Sequence, residues 1–130
     1  MMPIVAHDRA AEIPWRPGYR TFALAGPDQG VKCVVSYNII EPGSGAPLHY
    51  HNEVDEILIV VEGTLELRLG DMTQLVERDH TVSIPARTPH AFTAVGPSPV
   101  RMILFVPQSG AIADATTYLE GAAPAGAAQH

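Results

Sequence analysis

Apolar positions recur at a period of two through most of this chain. VKCVVSYNII (31–40) sets Val31, Cys33, Val35, Tyr37 and Ile39 on one face, the repeat of a strand with one side turned to an apolar interior. EILIVV (56–61) is almost continuously apolar and rich in branched residues, which predicts a strand buried on both sides. TLELRLG (64–70) alternates again, with Leu65, Leu67 and Leu69 opposite Thr64, Glu66 and Arg68. TVSI (81–84), AFTAV (91–95) and VRMILFV (100–106) predict three further short strands. EPGSG, EGT, LGD and GPSP place Gly or Pro where the chain must reverse. No window between residues 20 and 106 has a helical period, and short strands at about 8–12-residue spacing predict an antiparallel sandwich or barrel.

Outside this region the pattern weakens. Residues 1–18 hold three prolines and no sustained period, and read as an N-terminal arm with room for a short strand. The β domain is expected over 19–112. ADATTYLEG (113–121) suits a helical turn or a last strand, and GAAPAGAAQH (121–130) is a low-complexity tail.

Composition narrows the partners. At 130 residues, 46% apolar and 17% charged, the chain can bury a core as one domain. Its net charge of −6 includes no basic run, so nucleic acid and anionic membranes are poor partners. A lone Cys33 forms no internal disulfide and is expected in the core. The N-terminal residues have neither a signal-peptide pattern nor a membrane span, which makes the cytoplasm the expected location.

The chemistry gathers in GSGAPLHYHNEVDEILIVVEG (43–63). His49 and His51 stand two residues apart, a spacing that turns both imidazoles to one face of a strand. Glu56 lies an odd five residues beyond His51, so NEVD must bend for the carboxylate to return to that face. His90, after prolines 85 and 89, opens a later strand. Three imidazoles and a carboxylate suit one divalent first-row ion: Fe(II), Mn(II), Ni(II), Cu(II) or Zn(II). The plain alternative is a histidine pair making surface hydrogen bonds; the spaced carboxylate and the proline-bracketed His90 weigh against it. Tyr37 is a candidate substrate contact if its strand face lines the interior, although core packing is its simpler role. Arg68 would anchor an anion if turned inward, against a default outward pairing with Glu66. Glu53 and Asp55 are expected in solvent, as is His80. Trp15 is expected to pack over a barrel end or across a dimer contact.

The segment 43–63 resembles the first motif of the cupin superfamily, with Gly43, His49, His51, Glu56 and Gly63 in place. DHTVSIPARTPHAFTA (79–94) is similar to the second motif at Pro85 and His90. It departs where Asp79 and Arg87 replace glycines and Ala94 replaces an asparagine. The resemblance implies an all-β, single-domain antiparallel jelly-roll β-barrel with its metal held inside by His49, His51, Glu56 and His90. Arg87 is expected to reshape its turn, because a side chain disfavours the left-handed backbone. The implied function is that of a metal-dependent enzyme, first a non-haem Fe(II) dioxygenase acting on a small organic or aromatic substrate, with Glu56 able to loosen as a base. The alternatives are a redox-neutral isomerase, lyase or polyketide-cyclase-type enzyme using the ion as a Lewis acid, and a non-catalytic module that binds a small molecule. A homodimer is the implied assembly, with VRMILFV and the N-terminal arm as candidate contacts.

Overall fold

A computed structural model describes residues 3–108 and 116–123. They fold as an antiparallel jelly-roll of two sheets. The strands are β1 (Ala11–Arg16), β2 (Tyr19–Ala25), β3 (Val34–Ile40), β4 (Gly45–His51), β5 (Glu56–Glu62), β6 (Thr64–Leu69), β7 (Met72–Glu77), β8 (Thr81–Ile84), β9 (His90–Ala94), β10 (Val100–Val106) and β11 (Thr116–Tyr118). One sheet runs β1-β2-β3-β10-β5-β8 and the other β11-β4-β9-β6-β7. The segment 113–121 therefore contributes a strand at Thr116–Tyr118; residues 113–115 and 124–130 lie outside the described residues.

The alternating segments become strands because each can bury one face. On β5, Leu58 and Val60 point inward; on β10, Val100, Met102, Leu104 and Val106 do; Leu65 and Leu67 of β6 and Phe92 of β9 meet them from the other sheet. Each such side chain contributes about 1.5–3 kcal/mol by leaving water. Gly63 makes the β5–β6 reversal at φ 86°, with Pro99 and Val100 backbone so close that a Cβ would collide with them.

Several expectations are corrected. β5 is buried on one side only: Ile59 and Val61 are 39% and 38% exposed. β3 presents its opposite face to the interior, so Ser36, Asn38 and Ile40 are buried while Val35, Tyr37 and Ile39 are half-covered outside. Cys33 is likewise half-buried rather than a core residue. β10 lies between β3 and β5, leaving VRMILFV no free edge for a partner chain. β7 had no sequence signal, since five of its six residues are exposed.

The arm forms β1, an edge strand, and Pro14 sits where an edge tolerates the missing N–H. The β1–β2 register shifts between Ile13 and Arg16. A regular strand alternates its faces, whereas this irregularity lets the consecutive Trp15 and Arg16 line the same cavity.

Candidate metal centre

The two sheets bring the candidate ligands face to face. β4 supplies His49 and His51, and β9 pairs with it so that His90 stands opposite His49. Glu56 opens β5 in the facing sheet. Residues 52–55 cross between the sheets as the bend that the odd spacing required. That crossing is tied to the turn before His90: Asp55 accepts from the Ala86 amide at 2.9 Å, and the Arg87 side chain donates to the Asn52 carbonyl at 3.2 Å. The Arg87 amide donates to the His51 carbonyl at 2.7 Å. Arg87 holds φ 67° and Asp79 holds φ 70°. Both hold the left-handed backbone that glycine adopts most readily.

All four side chains are buried, His90 completely. Ring nitrogens of His49, His51 and His90 lie within 4.8 Å of one another. Glu56 reaches 3.1 Å from His51 Nε2 and 3.7 Å from His90 Nε2. Adjacent donors around an ion with bonds of about 2.0–2.2 Å stand about 3–3.5 Å apart, so Glu56 has the spacing of a neighbouring ligand.

The outer ring nitrogens fix the tautomers of His49 and His90. His49 Nδ1 donates to the Pro47 carbonyl at 2.6 Å and His90 Nδ1 to the Thr88 carbonyl at 2.9 Å; a carbonyl accepts only. His51 Nδ1 meets Thr116 Oγ1 at 3.0 Å. In the neutral ring the inward Nε2 of His49 and His90 then carries a lone pair. Among the described residues, Nε2 of His51 and of His90 is buried without a hydrogen bond, although Glu56 stands 3.1 and 3.7 Å away. Lone pairs facing a carboxylate repel it unless a cation lies between them. The donor set fits a divalent ion.

Electrostatics agree. Burial first, and then the neighbouring His90, bring His49 down to about 4, outweighing the Pro47 carbonyl, so its ring is neutral at pH 7. Burial pushes the Glu56 carboxyl up, but the facing His51 and His90 rings, when they carry a proton on Nε2, more than reverse this and bring it to about 2; with those nitrogens unprotonated, a cation between them and the carboxylate would have the same effect. Tyr19 shifts upward through burial and then the Glu56 charge, and its hydroxyl keeps its proton.

The cavity around these groups is lined by apolar Trp15, Tyr19 and Phe92, by polar Thr21, Ser36 and Asn38, and by the half-buried Arg16 and Tyr118. Asn38 orders the polar wall, donating to Ser36 Oγ at 3.2 Å and accepting from Thr21 at 2.9 Å. Tyr118 stacks on His49 with ring centres 5.3 Å apart. The two expected substrate contacts lie elsewhere. Tyr37 is on the outer face of β3 beside His7, with ring centres 6.1 Å apart, because the polar face of that strand took the interior. Arg68 is exposed and pairs with Glu120 at 3.2 Å, since the Leu face of β6 took the core. Sequence reasoning missed Arg16, Tyr19, Asn38 and Tyr118. Pro14 in the arm was the one visible mark of the irregularity that aims Arg16.

A jelly-roll carrying a buried histidine triad between its sheets defines a metal-binding type of β protein. The family model of the cupin domain matches residues 37–106, and the chain belongs to the cupin family. Among curated proteins it is 37% identical to the polyketide synthase CurC of Streptomyces cyaneus over 65 residues, 50% of this chain and 42% of that protein. It is 34% identical over 76 residues to mannose-1-phosphate guanylyltransferase 2 of Escherichia coli O157:H7, 58% of this chain and 16% of that protein. The chain thus spans less than two thirds of these relatives. The solved polyketide cyclase RemF from Streptomyces resistomycificus has the same fold, with a TM-score of 0.77 at 21% identity over 94% of this chain and 88% of that one. No helix of the described residues is long and apolar enough to cross a membrane.

Proposed function

We propose that this cupin holds one divalent transition metal through His49, His51, Glu56 and His90 and catalyses a redox-neutral, enolate-forming reaction of the polyketide-cyclase type on a small aromatic or polyketone substrate. The observation that carries this reading is a buried Glu56 carboxyl 3.1 and 3.7 Å from imidazole nitrogens that have no hydrogen bond among the described residues. The likeness of residues in this chain to CurC, and of its fold to RemF, supports the substrate class.

A divalent ion bound here would act as a Lewis acid, stabilising negative charge on a carbonyl oxygen. The chain's own residues supply the rest. Trp15, Phe92 and Tyr118 line the cavity and would pack against a flat substrate and keep water from it. Tyr19, held protonated, offers a hydrogen bond to a substrate oxygen. Glu56 would accept a proton from the carbon beside the carbonyl only on loosening from the ion.

A non-haem Fe(II) dioxygenase is the second reading, favoured by the same three-histidine, one-carboxylate donor set. Purified protein loaded with Zn(II), Ni(II), Mn(II), Cu(II) or Fe(II) and offered aromatic β-diketones with and without O₂ separates the two. Cyclisation or isomerisation that proceeds anaerobically supports the first; oxygen uptake matched to product with Fe(II) overturns it. Ligand binding with no turnover under any metal would leave a small-molecule-binding module. For assembly we infer a cytoplasmic homodimer, supported by the free β1 edge and by the outward Ile59, Val61, Met72 and Leu75.

A further inference from the structure

Arg20, Arg68, Arg78 and Arg101 each stand beside a carboxylate, at 2.9, 3.2, 3.9 and 3.3 Å. Arg16 has no such partner among the described residues. It lies instead on the wall of the cavity that contains His49, His51 and Glu56. Its guanidinium is placed over the Tyr118 ring, 5.4 Å from the ring centre, and Tyr118 in turn stacks on His49. One terminal nitrogen, Nη2, donates to the Ala122 carbonyl at 3.0 Å. Nε is buried with no hydrogen bond among the described residues.

A guanidinium keeps its proton in any protein environment, so this is a fixed cation with an unspent donor. Burying such a donor costs free energy that the fold avoids nearly everywhere else. Two features show that the placement is built. The irregularity in β1 turns Arg16 to the cavity beside Trp15, and the stack with the hydrogen bond to Ala122 fixes the plane of the guanidinium. Arginine held in one plane with a free N–H is suited to an oxyanion.

We propose that Arg16 anchors a carboxylate or phenolate oxygen of the ligand at the wall of the cavity, orienting the remainder of the molecule toward the histidine triad. This rests on the reading that the cavity receives a small aromatic molecule, and not on which reaction follows. Arg16 takes the anchoring role for which Arg68 was the candidate by sequence.

The test is direct binding, by calorimetry, of 2,4-dihydroxybenzoate and of its uncharged methyl ester. It is run on the Zn-loaded and the metal-free protein, in wild type, Arg16→Gln and Arg16→Lys. Wild type is expected to prefer the acid by at least about tenfold, with the preference surviving metal removal. Arg16→Gln should abolish the preference while the ester still binds and zinc occupancy stays within twofold. Arg16→Lys should restore only part of it, since an ammonium lacks the planar fork. Should Arg16→Gln fail to fold, the lysine variant decides alone: a preference equal to wild type overturns the proposal. A preference that persists in Arg16→Gln, or that vanishes with the metal, also overturns it by assigning the anion to the ion. So does a wild type that binds acid and ester alike. None of these outcomes depends on turnover, so failure of the cyclase reading is read separately.

Discussion

The two segments that build the centre reach the same geometry by different routes. The first, residues 43–63, has glycine at both of its left-handed turns, Gly43 and Gly63, each at φ 86°. The second, residues 79–94, has Asp79 and Arg87 at φ 70° and 67°. Here the backbone shape is imposed from outside: the Arg87 amide is held by the His51 carbonyl and its side chain by the Asn52 carbonyl. The left-handed region costs a side chain about 1–2 kcal/mol, so the second segment is strained where the first is relaxed. What the comparison teaches is that the second histidine source depends on the first for its position. Loosening the 52–55 crossing should disturb His90 more than loosening the 85–88 turn disturbs His49.

The largest effect expected from breaking the pair is on metal affinity. Four-ligand structural zinc sites bind with about 10–16 kcal/mol, so removing one ligand should cost about 3 kcal/mol. His90→Ala and His51→Ala should each weaken binding more than a hundredfold in calorimetry while circular dichroism keeps its β signature. Equal losses from the two variants would mean that both segments supply true ligands; a loss from His51→Ala alone would demote the second.

Acid comes next. Because His49 is brought down from 6.5 to about 4, the unfolded chain binds a proton between those values that the folded chain does not. The metal-free protein should therefore lose stability as pH falls from 6.5 to 4, by about 3 kcal/mol from this group at most. Glu56, held at about 2, adds a further loss as pH drops below 4.5. Urea unfolding at pH 7, 5.5 and 4 measures this, and a flat profile to pH 4 would contradict the buried neutral ring.

The turns should respond in opposite directions. Gly63→Ala places a Cβ 2.8 Å from the Pro99 carbonyl oxygen and 2.9 Å from Val100 Cα at positive φ, and should destabilise by about 2–3 kcal/mol. Arg87→Gly should stabilise by about 0.5–1 kcal/mol through relief of strain. Arg87→Ala keeps the strain and loses the contact to Asn52, so it should destabilise. Thermal melts of the three variants sharpen the contrast, which fails if Arg87→Gly is as damaging as Arg87→Ala.

Much of this was legible in the residues. The four candidate donors were picked out by spacing and residue type, because their chemistry is rare in an apolar chain, and the fold brings them together. The Leu face of β6 was readable because leucine and charge alternate cleanly there. The inward face of β3 was not: both of its faces carry apolar residues, and the cavity requires the polar set of Ser36 and Asn38. Period two gives alternation without saying which side is inside. Arg16 was hidden for a different reason. Its orientation depends on an irregularity in β1 and on Tyr118, a residue more than a hundred positions away that β11 registers opposite His49. Local sequence carries no trace of such a long-range contact.

The central claim is that His49, His51, Glu56 and His90 converge on a single ion. Elemental analysis of untagged protein, with zinc titration of the metal-free form and of Glu56→Gln, tests it most directly. One equivalent of divalent metal per chain in wild type, and affinity at least about tenfold lower in Glu56→Gln, is the predicted result. Substoichiometric metal that Glu56→Gln leaves unchanged would contradict it.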